Sequence, residues 1–280
     1  MIHPYVYDES KGLAVVEAGG ITLRIPHNPE TASLSPYLVK RANNLGFMLT
    51  HLDSIGDAFV EFCRRKNPDC VVDLDASYGI STAYALQEKA KHVIATDNHA
   101  VHLQILKESI PELYSSNFSI RQGDFPEDIS FEDESVDAFH SSRMFHFYRC
   151  NKIERILRAI LKALKPNGKI FVSTDTPYWG IWKENGFLNE FEEKKEKGDP
   201  WPGFMENVEL YTPESKNNVS PSMNFLDRDT ARIHFEKAGF EIEDCFYFSR
   251  KTYPQKLHLD GREGLGIIAV KPRCSVEKYF

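Results

Sequence analysis

The chain has 280 residues, 41% hydrophobic and 27% charged, with 16 Gly, 15 Pro and 12% aromatics, which excludes wholesale disorder, a collagen-like repeat and low complexity. Its length suffices for one large α/β domain or two small ones. Lys plus Arg number 34 against 41 Asp plus Glu, a formal charge of -7, opposite to the balance of a protein that grips many phosphates, so duplex nucleic acid is not expected as a main partner.

From Leu13 the chain reads LAVVEAGGITLRIP, two short strands broken by Gly19-Gly20, and predicts a β-hairpin inside an N-terminal extension spanning 1–35. The polar stretch HNPETASLSP follows. Helices are then expected over about Pro36 to Met48 and from near Ser54, the second carrying Phe59, Val60, Phe62 and Cys63 and ending at Asn67-Pro68. From residue 70 strand and helix signals alternate, the pattern of a parallel sheet with helices on its faces. Strands are predicted at Val71 to Leu74, His92 to Thr96, Phe118 to Arg121 and Val136 to His140, with helices at Ser81 to Lys89 and Ala100 to Ser109. Ile153, Ile156, Leu157, Ile160, Leu161 and Leu164 then form one apolar helical stripe, ended by Pro166-Asn167-Gly168. A fifth strand follows at Lys169 to Ser173; Asp227 caps a last helix whose apolar members are Ile233, Phe235 and Ala238, stopped by Gly239; strands at Phe240 to Phe248 and Leu265 to Val270 close the domain.

Between the fifth strand and the last helix, residues 175–226 hold all three tryptophans (Trp179, Trp182 and Trp201), with Tyr178, Phe187, Phe204, Tyr211 and the charge run EFEEKKEKGDP. Around fifty residues is too long for a plain connection, so this insert is expected to be an aromatic lid facing a substrate or a lobe with its own small core. The N-terminus has no positive stretch leading into an apolar one, and no apolar run reaches the roughly 20 residues of a membrane span. The five cysteines at 63, 70, 150, 245 and 274 are odd in number, scattered and without a C-x-x-C pair, which argues against a disulfide or zinc framework. Cys63, Cys150 and Cys245 sit among apolar residues as candidate core side chains. A cytoplasmic, reducing location is expected.

Ligands of open α/β sheets sit beyond the carboxyl ends of the strands, which directs attention to the turn Asp73-Leu74-Asp75-Ala76-Ser77-Tyr78-Gly79 and to Asp97, which ends the next strand. A carboxylate at position 97 can accept hydrogen bonds from both hydroxyls of a ribose, and it can equally cap the following helix. Asp97-Asn98-His99 with His102 approaches metal-ligand spacing, but no third histidine lies near in sequence and no metal is expected. Gly261-Arg262-Glu263-Gly264-Leu265-Gly266 precedes a strand instead of joining a strand to a helix, and reads as a turn. Gly-x-Ser-x-Gly and Gly-Lys-Ser/Thr motifs are absent, which leaves hydrolase and P-loop chemistry without their signatures.

The ordered set Asp73, Gly79, Asp97, Gln122-Gly123-Asp124, Leu164-Lys165-Pro166-Asn167-Gly168 and Ala238-Gly239-Phe240 resembles the class I S-adenosylmethionine-dependent methyltransferases, particularly those acting on small molecules, over about residues 36–272, leaving a tail at 273–280. The resemblance implies a doubly wound, Rossmann-like, seven-stranded sheet, mostly parallel with an antiparallel last strand. It implies S-adenosylmethionine as cofactor and S-adenosylhomocysteine as product. By the same resemblance Asp97, with Asn98, binds the ribose, Asp124 and Phe125 the adenine, and Asp73, Asp75, Ser77 and Gly79 the methionine part. His140 lies in the segment lining the transferring methyl.

Two of the family's glycines are Asp75 and Ser77 here. Those glycines allow positive φ and close backbone approach; Asp tolerates the left-handed region better than most residues and Ser is small. Asp75 would repel the phosphates of NAD or a nucleoside triphosphate, whereas S-adenosylmethionine has none. Methyl transfer needs alignment above all; where the acceptor must lose a proton, His140, His146 and Tyr178 are the candidate bases. The expected partner is a small organic acceptor, apolar or aromatic, held under the insert. The competing expectation is a non-catalytic scaffold that kept the fold while its glycine turn decayed.

Overall fold

The computed structural model describes residues 4–27, 35–213 and 220–273. Residues 28–34 of the polar stretch, and Cys274 with the rest of the expected tail, lie outside the described residues. The expected hairpin is present as β2 (Leu13–Ala18) and β3 (Ile21–Pro26), and β1 (Val6–Asp8) adds a third antiparallel strand. The helix expected over Pro36 to Met48 is instead a second hairpin, β4 (Leu38–Lys40) and β5 (Phe47–Leu49). Asn44 at φ 61° and Gly46 at φ 70° turn the chain there, and both residue types tolerate the left-handed backbone that a helix forbids.

Helix α1 (Ser54–Lys66) begins where expected, with Asp53 accepting from the backbone N–H groups of Ile55 and Gly56. The core sheet follows as β6 (Val71–Leu74), α2 (Ile80–Gln87), β7 (Val93–Asp97), α3 (Ala100–Ser109), β8 (Phe118–Gln122), β9 (Val136–Ser142), α4 (Cys150–Ala163) and β10 (Leu164–Asp175). After the insert come α7 (Arg228–Ala238), β13 (Glu241–Phe248) and β14 (Gly264–Val270). The seven strands lie in the order β13-β14-β10-β9-β6-β7-β8. β14 runs antiparallel between β10 and β13, while β10, β9, β6, β7 and β8 pair in parallel.

Alternation along the strands feeds two cores. Val72, Phe139, Ile170 and Val172 pack with α4 and α7, while Val71, Ala138 and Phe171 pack with α1, α2 and the N-terminal sheet. Ile153, Ile156, Leu157 and Ile160 of the predicted stripe are fully buried, each contributing about 1.5–3 kcal/mol. On α7, Ala231 and Phe235 are buried, but Ile233 is 59% exposed because it falls on the opposite face of that helix. Cys63 and Cys245 are core thiols as expected; Cys150, at the first turn of α4, is only half-buried.

Within 175–226 lie α5 (Gly180–Glu184), α6 (Phe187–Glu196), β11 (Phe204–Met205) and β12 (Met223–Asn224). Trp179, Trp182, Phe187, Met205 and Phe225 form a small core of their own, into which Leu38 and Leu49 of the β4–β5 hairpin also pack. Trp201 stands apart, half-buried and stacked on the His234 ring at 3.6 Å.

Candidate functional site

The turn after β6 adopts the conformation that the replaced glycines would have allowed. Asp75, Ser77 and Gly79 have φ of 54°, 51° and 82°. Gly79 is favoured twice over, by its φ and because a Cβ there would stand 2.2 Å from a methyl of Leu106, which would have to move. The turn is held by the Ala76 N–H on Thr96 O (2.8 Å) and the Ser77 N–H on Asp97 Oδ2 (3.0 Å).

Asp97 ends β7 fully buried and accepts four hydrogen bonds. Oδ1 takes the His99 N–H (2.8 Å) and His102 Nδ1 (3.1 Å); Oδ2 takes the Ser77 N–H and Arg41 Nη2 (3.3 Å). The bracing expectation for Asp97 has a counterpart here, since Oδ1 accepts the His99 N–H just before α3. Arg41 comes from the β4–β5 turn and also donates to Asp75 Oδ1 at 2.9 Å, with its side chain only 9% exposed. His102 Nε2 accepts the Ala42 N–H (3.0 Å) and Tyr78 Oη donates to Lys40 O (3.2 Å), so the hairpin is fastened across the turn at three points.

Burial would raise the Asp97 carboxyl, but the His102 hydrogen bond, the Arg41 charge and the His99 N–H hold it down at about 2. Asp75 goes the other way, pushed up to about 6 by burial and by the neighbouring Asp97, with Arg41 opposing.

Two clefts open on this edge of the sheet and meet at Asp75, which lines both. The smaller, about 240 Å³, is lined by Leu74, Asp97, Asn98, Asp124, Phe125 and Tyr148 among others. Asn98 Nδ2 donates to Asp124 Oδ1 (3.1 Å) and Phe125 is buried, so four residues singled out in the sequence converge here. The larger, about 630 Å³ and open to solvent, has Asp73, Asp75, Ser77 and His140 on one side and Phe47, Met48, Leu49, Leu52 and Phe147 on the other. In it His140 Nδ1 lies 2.8 Å from Asp73 Oδ1, and Asp73 Oδ2 accepts Thr82 Oγ1 at 2.7 Å. His140 Nε2 is buried without a protein partner among the described residues.

The two other candidate bases line neither cleft. His146 is buried beside Thr174 (3.5 Å) and Asp175 (3.8 Å), its ring parallel to Phe225. Tyr178 packs on Phe191 and Tyr247, with the Arg262 guanidinium 3.7 Å from its ring centre. The tryptophans of the insert are likewise absent from both cleft walls; the insert supports the hairpin from behind. The sequence points to neither Arg41 nor Tyr148, and to His102 only for its near metal-ligand spacing. A buried carboxylate at 75 signals that a cation is required, but nothing local to the turn says which one.

A methyltransferase domain model matches residues 71–168, from the first core strand to the turn within β10. An uncharacterized methyltransferase of Schizosaccharomyces pombe is 30% identical over 213 residues, 68% of this chain and 77% of the relative. The seven-stranded fold matches an S-adenosylmethionine-dependent methyltransferase from Mesorhizobium loti, with a TM-score of 0.56 at 16% identity over 78% of this chain and 98% of that one. One from Methanosarcina mazei matches equally, with a TM-score of 0.56 at 17% identity over 79% and 99%. The chain belongs to the methyltransferases and has the class I fold.

The residues of this methyltransferase fit such a cofactor on two observations. The turn keeps its left-handed backbone in spite of Asp75 and Ser77, and the buried Asp97 carboxylate lines the smaller cleft beside Asp75, which lines both. The one feature in the way is the Arg41 guanidinium.

Proposed function

We propose that this methyltransferase transfers the methyl group of S-adenosylmethionine to a small, non-anionic organic acceptor bound in the larger cleft. The observation that carries the reading is the left-handed turn at Asp75, Ser77 and Gly79 with Asp97 and Asp124 aligned beyond it. The turn from Asp73 to Gly79 would hold the methionine part, Asp97 and Asn98 the ribose, and Asp124 with Phe125 the adenine. When bound, the cofactor supplies an electrophilic methyl on a cationic sulfur and leaves as S-adenosylhomocysteine.

The acceptor class follows from charge pairing around the larger cleft. Asp75 pairs with Arg41, Asp53 with Arg250, and Arg143 with Asp175, while Asp73 is hydrogen-bonded to His140. Burial pushes His51 down to about 4, so it is neutral at pH 7. An anionic acceptor would find no free cation there, because Arg41, Arg143 and Arg250 are each held by carboxylates, whereas Phe47, Met48, Leu49 and Leu52 offer an apolar wall. The insert then acts indirectly, by bracing that wall. His140 is the base this reading assigns, because of the three candidates it alone lines the cleft and its Nε2 is unpartnered.

Calorimetric titration with S-adenosylmethionine, S-adenosylhomocysteine and NAD tests the proposal. Micromolar binding of the first two with NAD silent supports it. Silence of all three at millimolar ligand would favour the scaffold reading.

A further inference from the structure

Four donors surround Asp97, and they are not equivalent. The Ser77 N–H, the His99 N–H and His102 Nδ1 belong to the turn and to the start of α3, and they sit at 2.8 to 3.1 Å. Arg41 Nη2 is the longest at 3.3 Å and comes from a separate hairpin, 56 residues away in sequence. A carboxylate offers about four lone-pair sites, so the set is full. A ribose hydroxyl can reach this carboxylate only where one donor leaves, and Arg41 is the one whose departure does not dismantle the turn.

Arg41 also has a second anchor. Asp75 stands where the family resemblance expects glycine, and its carboxylate holds the same Nη2 at 2.9 Å. Arg41 Nε is buried without a hydrogen-bond partner among the described residues, and both of the carboxylates that hold the guanidinium do so through Nη2. The departure from glycine and the incoming arginine thus form one matched pair, placed where the two clefts meet.

We propose that Arg41 is a built-in competitor for the cofactor's ribose, and that the β4–β5 hairpin is a clasp which must withdraw Arg41 from Asp97 before an adenosyl ligand seats. The inference rests on reading Asp97 as the ribose carboxylate. Asp75 holds the clasp closed, and affinity for the cofactor is set by how readily the pair opens. The apolar wall of the larger cleft, Phe47 to Leu49, belongs to the same hairpin, so opening the clasp also reshapes the acceptor side.

The test is calorimetric titration of the purified full chain with S-adenosylhomocysteine, which lacks the sulfonium charge, and the Asp75→Gly double variant below removes the carboxylate that could attract its ammonium. Arg41→Ala should bind it about tenfold more tightly than the unaltered chain, as one competing charge-assisted hydrogen bond is removed. Arg41→Ala with Asp75→Gly should bind at least as tightly, and serves in case the single variant, with Asp75 unpaired, does not fold. Hydrogen exchange supplies a second readout: ligand should speed exchange of the Arg41 and Ala42 amides, which are bonded to Gly46 O and His102 Nε2. Unchanged or weaker binding in both variants, or slower exchange at those amides, overturns the clasp while the cofactor reading stands. If neither the chain nor the glycine-restored variant binds at millimolar ligand, both readings fall together.

Discussion

Asp73 and His140 are direct partners in the parallel pairing of β6 and β9, and their side chains meet at 2.8 Å between Oδ1 and Nδ1. Strand register alone therefore sets the pair, and the ring is held against Phe59 at 4.8 Å between centroids. The carboxylate, itself tied to Thr82, requires a proton on Nδ1, which leaves Nε2 as an acceptor. In alkaline buffer, long-range proton–nitrogen NMR should find His140 protonated at Nδ1 only. Asp73→Asn should shift that proton toward Nε2, because the amide can donate to Nδ1. A wild-type ring protonated at Nε2 would remove His140 from consideration as a base. For catalysis, His140→Gln should lower methyl transfer by about 10²-fold or more with the S-adenosylhomocysteine dissociation constant unchanged.

Asp97→Asn should weaken S-adenosylmethionine binding by roughly 1–3 kcal/mol, the scale for losing hydrogen bonds to a charged group. It should also lower the Tm, because His102 and Arg41 both lose a charged acceptor. The two effects separate experimentally: binding is read by calorimetry at a temperature well below the transition. An unchanged dissociation constant in a folded variant would show that Asp97 is only a brace for the start of α3.

The sheet was legible because each strand and helix carries its own signal. The stripe from Ile153 to Ile160, the Asp227 cap and the Gly239 stop all depend on residues a few positions apart. Residues 36–48 misled because two short apolar clusters, Leu38-Val39 and Phe47-Met48, fit a helix as well as a hairpin, and packing of Leu38 and Leu49 against the insert decides between them. Asp97, Asn98, Asp124 and Phe125 were readable by their order along the chain. Arg41 was not, since its partners lie 34 and 56 residues away and only the folded hairpin brings them together. His146 and Tyr178 looked competent as residue types, but a residue type does not reveal which side of a strand end faces the cleft.

The three left-handed residues of the turn should respond differently to substitution. Gly79→Ala would place a Cβ at φ 82° and 2.2 Å from Leu106, so a loss of about 1–3 kcal/mol from the backbone alone is expected, with the clash added. Ser77→Gly removes strain at φ 51° but frees the unfolded chain, so its stability should stay within about 1 kcal/mol of the parent. Urea denaturation of both variants checks this. Equal losses would mean that the turn is not held in the left-handed conformation at 77.

Mild acid should destabilise the protein well before its exposed carboxylates titrate. Burial pushes His146 down to about 3, with Asp175 opposing and Arg143 and Arg250 adding to the drop, and it pushes His51 down to about 4. His27, His99 and His234 shift the same way. In the unfolded chain these imidazoles titrate near about 6.5. Above that pH both states are neutral and the full stability is present; below it the unfolded state takes up protons that the fold refuses. Each such histidine then steepens the fall by up to about 1.4 kcal/mol per pH unit. Asp75 opposes the trend, because its carboxyl titrates near 6 in the fold and lower when unfolded, so the folded state gains a proton over the same range. The histidines outnumber it, and the free energy of urea unfolding should decline from about pH 6.5 to about pH 4. His146→Gln should reduce that slope by up to one proton's worth. A slope that is the same in the variant would mean that His146 becomes charged inside the fold, and that its contact with Asp175, 3.8 Å away, is an ion pair after all.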